Sequence, residues 1–146
     1  MSKFGLGTLL AFILIATVNP LAAQAGTYGK YLAPADVEKA TGLSGVTVTE
    51  ANNTLTFRTQ RIALKVQFQD LKLYKLNKEA PVNVKAMITG VGEEAFSGPA
   101  VDTPYMLTFR QKEFCVRLIM FVGGDGKFML TMDQLIGLGK IIASRI

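Results

Sequence analysis

The residues with the most chemical potential sit in one stretch, GVGEEAFSGPA at residues 90–100, where two glycines precede adjacent carboxylates, Glu93 and Glu94. A phosphate-binding loop needs glycines, inward-facing amides at a helix start and usually a Lys or Arg. Carboxylates in that place would repel the phosphate. Paired carboxylates serve glycoside hydrolysis or metal binding only when both aim at one bond or ion, whereas neighbours in sequence point apart on a strand or a helix. Folding could still bring up Asp36, Asp102 or Asp125 as a second carboxylate. The plainer expectation is a structural corner. Gly90 and Gly92 supply unusual backbone angles, Phe96 plugs the core, and Glu93 and Glu94 act as caps or solvated surface.

Other candidates are thinner. Arg110 and Arg117 fall on strands expected to be neighbours, where they could jointly grip a carboxylate or phosphate. Cross-sheet pairing with Glu113 or Asp102 is the simpler reading. The chain has no histidine, which removes the commonest general base and transition-metal ligand. Ser44, Ser97 and Ser144 therefore lack an activating imidazole, and only a Ser-Lys dyad would remain. GGDGK, at residues 123–127, lacks the alternating oxygen ligands of a calcium loop and reads as a turn. Met87, Met106, Met120, Met129 and Met132 lack Met-x-Met spacing and read as core filling. No catalytic set, metal site or cofactor is expected.

Compartment is read from the first 25 residues. Lys3 precedes an uncharged apolar run, FGLGTLLAFILIATV, then Pro20 and AQA at residues 23–25. That is the order of a secretory signal peptide, cleaved after Ala23 or Ala25. An uncleaved anchor competes, but the apolar run is short for a bilayer span of about 20 residues. LAAQ resembles a lipoprotein cleavage box with Gln24 in place of the lipid-bearing cysteine. No stable membrane anchor is expected, and the protein is placed in the periplasm or outside the cell. Residues 26–146 suit one domain. Removing Lys3 from the 16 basic side chains leaves 15 against 11 acidic ones, net +4. A nucleic-acid surface usually needs denser charge with stacking aromatics, and with no dense basic run nucleic acid is not an expected partner. Cys115 is the lone cysteine, so no internal disulfide forms. It lies in an apolar run and reads as a buried, inert thiol, with an intermolecular disulfide or a reactive thiol as the alternative.

The elements predict an α+β fold, an antiparallel sheet with N-terminal and C-terminal helices packed on it. Pro34, Asp36, Glu38 and Gly42 punctuate a helix over about 34–41. GVTVTE and NNTLTFRT form a hairpin turning at Asn52 and Asn53. RIALKVQFQ alternates, with Ile62, Leu64, Val66 and Phe68 inward and the other face wet. Leu71, Leu73 and Leu76 predict a short amphipathic helix over 70–78, with Lys72, Lys75 and Lys78 on its solvated flank. A short strand near 84–88 leads into the corner. PYMLTFR and EFCVRLIMFV make a second hairpin, the latter central because both its faces are apolar. Thr131 caps a last helix with Leu135, Leu138, Ile142 and Ile146 inward, and Gly137 and Gly139 allow close approach to the sheet.

In order, LAPADVEKATGL, GVGEEAF, the strands YMLTFR and FCVRLIMF, and MDQLIGLGKIIASRI resemble a broad group of small exported bacterial proteins and lipoproteins of uncharacterised function. Several of these are similar to the PsbP-like α+β fold. The resemblance covers nearly all of the mature chain and implies a non-enzymatic module; the chain differs from many such relatives in lacking paired cysteines and a lipid-bearing cysteine. The expected role is binding, to an envelope protein or a small ligand. A homo-oligomeric assembly protein is the alternative.

Overall fold

A computed structural model describes residues 26–60, 63–121 and 130–146. The expected leader, Ile62, Met129 and the turn at residues 123–127 lie outside the described residues. Seven strands form one antiparallel sheet: β1 (Thr47–Ala51), β2 (Thr54–Arg58), β3 (Ala63–Asp70), β4 (Ala86–Ile88), β5 (Glu94–Gly98), β6 (Met106–Gln111) and β7 (Phe114–Met120). Their order is β1-β2-β3-β7-β6-β5-β4, so the doubly apolar β7 is central. The first hairpin turns on Asn52 and Asn53, both at positive φ, a conformation that asparagine tolerates.

Strand alternation sorts the two faces. Leu55, Phe57, Leu64, Val66, Phe68, Leu107, Phe109, Val116 and Leu118 form the main core, covered by α1 (Pro34–Thr41) and α3 (Met132–Arg145). In α1, the Asp36 carboxylate accepts from the Ala33 amide at 2.8 Å, and Gly42, at φ 71°, ends the helix by donating to the Glu38 carbonyl at 2.8 Å. The guanidinium of Arg145 clasps Asp36 at 2.6 and 2.8 Å, tying α3 to α1. In α3, the Thr131 hydroxyl accepts from Gln134 N, and the Gln134 side chain accepts in return from Thr131 N, satisfying two free donors of the first turn. A Cβ on Gly139 would stand 2.9 Å from Leu107 Cδ2 and 3.0 Å from Val91 Cγ1, whereas one on Gly137 would meet nothing. Close approach therefore depends on Gly139 alone.

The opposite face is covered in part by α2 (Leu71–Glu79). Its N-cap, Asp70, accepts from Lys72 N at 2.7 Å. The helix faces differently from the expected leucine stripe. Tyr74 is buried with Leu71 beside it, while Leu73 and Leu76 are 38% and 63% exposed. The Tyr74 ring packs 5.5 Å from Phe96, and burying that larger surface outweighs the two leucines. Tyr74, Phe96 and Cys115 thus form a small second core, and Phe96 fills this one rather than the main core. A 3₁₀ turn, Pro81–Asn83, leads to β4, which is shorter than expected and begins only at Ala86. The corner also ends early, because Glu94–Gly98 pairs as a strand. Residues 95–98 are all buried, which hides the alternation that would reveal one. Among the described residues no helix is long and apolar enough to cross a membrane.

Candidate functional site

The site lies on the α2 side of the sheet, where the corner meets β6. Gly90 and Gly92 hold φ of 77° and 56°. A Cβ on Gly92 would fall 2.5 Å from the Arg110 carbonyl oxygen and 2.9 Å from Phe109 Cδ2, so both the angle and the space call for glycine. The turn sets Glu93 outside the regular pairing. Its amide donates to the Arg110 carbonyl at 3.0 Å, while Glu94 is the residue in register with Arg110. Two residues therefore face one, as at a β-bulge, and the adjacent carboxylates converge instead of pointing apart. Arg110 Nη1 meets Glu93 Oε2 at 2.5 Å and Nε lies 3.5 Å from Glu94 Oε2. Lys78 of α2 binds the other Glu94 oxygen, and Glu93 also accepts from Lys112 N at 3.1 Å. The expected partners of Arg110, Glu113 and Asp102, are replaced by these nearer carboxylates.

Leu71, Tyr74, Lys75, Lys78, Glu79, Glu94 and Arg110 line a shallow depression of about 500 Å³. Its electrostatics are settled internally. The Lys78 ammonium, bonded to Glu94, holds that carboxyl below its ordinary range. Burial, then the nearby Glu94 charge, pushes the Tyr74 hydroxyl upward, and that hydroxyl has no hydrogen-bond partner of good geometry although it lies near Glu94. Burial likewise raises the Cys115 thiol to about 11. Lys78 and Arg110 balance the charges of Glu93 and Glu94. Among the described residues no group of three or more His, Cys, Asp or Glu side chains could hold a metal ion.

Arg117 is not part of this cluster. It sits on β7 opposite Thr108 of β6 and Gln67 of β3. Its Nη2 approaches the Met106 sulfur at 2.8 Å, and no ion pair of Arg117 forms among the described residues. Arg117 Nε, Thr108 Oγ1 and Gln69 Oε1 are buried without a hydrogen-bond partner in the protein. Sequence reasoning missed Lys78, Tyr74, Thr108 and Gln69. The signal for Gln69 was present in the wet face of β3, but the other three need the register of β5, β6 and β7. Comparison of the chain with known protein families, characterised proteins and solved structures finds no match.

Proposed function

We propose that this protein is an exported binding or accessory module without catalysis of its own, acting in the periplasm or outside the cell on an envelope protein or a small ligand. One observation carries the reading. Next to a cluster whose charges cancel, the same face of the sheet keeps Arg58 and Lys65 without an ion pair among the described residues, with the half-exposed Thr56 and Gln67 beside Lys65 and Arg117. The resemblance to small exported PsbP-like domains supports the same reading, as does the signal-peptide pattern. The test is a native mass spectrum of protein taken gently from the host's envelope fraction and medium. The expected result is one chain, starting after Ala23 or Ala25, with a reproducible extra component. A bare single chain, with no protein cross-linked to it in the envelope, would overturn it.

A second reading, a homo-oligomeric assembly protein, is favoured by exposed apolar side chains around α2 and edge strand β4. Leu76, Val82 and Met87 are 63%, 72% and 50% exposed. A mass of several chains, dependent on concentration, would select it.

A further inference from the structure

The part of the sheet that α2 leaves uncovered carries one cation per strand along a diagonal. Arg58 of β2 is in register with Ala63 of β3, Lys65 of β3 with Ile119 of β7, and Arg117 of β7 with Thr108 of β6. Each successive cation, Arg58, Lys65, Arg117 and Arg110, therefore sits one strand across and two residues along from the one before, on the same face. Diagonal neighbours of this kind are about 7–8 Å apart, so the four positions span about 20–24 Å. Only Arg110, at the α2 end, is neutralised, by Glu93 and Glu94. Arg58, Lys65 and Arg117 form no ion pair among the described residues, and Lys65 stands 5.2 Å from the centroid of the Phe121 ring. The acids nearest in sequence to Arg58 and Lys65 are engaged elsewhere. Glu50 accepts from the Tyr28 and Gly29 amides, and Asp70 caps α2.

We propose that this stripe is a docking track for an acidic polysaccharide. Evenly spaced like charges on a flat face match a polymer with repeating anions, whereas a compact anion would need cations converging on one point. Single-stranded nucleic acid is disfavoured, because its recognition relies on aromatic platforms, and Tyr74 and Phe96 of this face are buried against each other, which leaves Phe121 beside Lys65 among the described aromatics there. Thr56 and Gln67, beside Lys65 and Arg117, add hydroxyl and amide groups suited to sugar hydroxyls. The inference rests on the binding-module reading and gives it a ligand class.

The experiment titrates the full exported chain with labelled dextran sulfate and polygalacturonate, with neutral dextran and a single-stranded oligonucleotide as comparisons. Binding to both acidic glycans, weakening with salt, and none to neutral dextran is expected. The double variant Arg58→Gln/Lys65→Gln should bind about five- to thirtyfold more weakly. Lys140→Gln, on α3 across the sheet, should bind as the parent does. Both altered positions avoid the buried Arg117 Nε, so circular dichroism should show an unchanged fold. Equal affinity of the double variant, or equally tight oligonucleotide binding, overturns the proposal. No binding to either glycan overturns it too. In that case an extra component persisting in the native mass spectrum would leave the binding-module reading standing, and a bare chain with no protein cross-linked to it in the envelope would remove both.

Discussion

Replacing Gly92 by alanine should cost the fold far more than the same change at Gly42, although both residues hold a positive φ, 56° and 71°. The conformational part is common to the two sites and amounts to about 1–2 kcal/mol for a residue with a Cβ. At Gly42 nothing lies within 4 Å of the added atom, so that is the whole effect. At Gly92 the Cβ would stand 2.5 Å from the Arg110 carbonyl oxygen, a backbone atom that cannot swing aside. Relief requires β5 and β6 to part at the corner, breaking the Glu93 amide bond to that carbonyl and drawing Glu93 and Glu94 off Arg110. The lost bond adds about 1 kcal/mol and the residual overlap about as much again, for a total near 3–4 kcal/mol. Urea titrations followed by far-ultraviolet circular dichroism should give an unchanged slope and a clearly lower midpoint for Gly92→Ala than for Gly42→Ala. The thermal midpoints should differ by about 6–12 °C. Variants within about 0.5 kcal/mol of each other would refute the reasoning, since the contact with Arg110 would then contribute nothing.

On α3, Gly137→Ala should stabilise by about 1 kcal/mol, whereas Gly139→Ala, pressed against Leu107 and Val91, should destabilise by about 1–3 kcal/mol; urea midpoints decide the signs. Cys115 is fully buried, with its thiol raised to about 11, so a thiol reagent at pH 8 should label it slowly in the native protein and at the rate of a free thiol only in denaturant. Asp36 is held below the ordinary carboxyl range, first by its bond to Arg145. Its contribution is full above the unfolded value near pH 4 and is lost as pH falls through the lower folded value. The stability gap between the parent and Asp36→Asn, about 1 kcal/mol, should thus be flat from pH 7 to 5 and close below about pH 4. Glu94→Gln releases Lys78 and half of the clamp on Arg110, and should tighten acidic-glycan binding about two- to fivefold.

Local chemistry made much of this fold legible. Asn52 and Asn53 announce the first hairpin because few residues accept its backbone angles, and Thr131 with Gln134 announces α3 because their side chains close the helix start on themselves. The two misreadings share another cause. Alternation reveals a strand only when one face is wet, and residues 95–98 of β5 are buried on both. Periodicity finds a helix but not its inward side when an aromatic competes with leucines, and in α2 Tyr74 displaced Leu73 and Leu76. The site was less legible still. Glu93 and Glu94 were visible as a pair, yet their meeting at Arg110 depends on the positive φ of Gly92 and on the β5–β6 register, neither of which is encoded near Arg110.

The strand order explains why a mildly basic chain could concentrate its charge. Arg58 and Lys65 belong to the first three strands and Arg117 and Arg110 to the last pair, with about 50 residues between the groups. They become one stripe only because β7, the last strand, inserts between β3 and β6. The β5–β6 pairing brings Arg110 beside the corner, where Glu93 and Glu94 cancel it, and α2 covers that end with Tyr74 against Phe96. The sheet face is thereby divided into a covered, neutral end and an open, cationic end. A helix shifted toward β2 would bury Arg58 and Lys65 away from water without counterions, at several kcal/mol per charge. Those two cations therefore favour leaving the β1–β3 half of the face open, which ties the extent of α2's coverage to the surface available for a ligand.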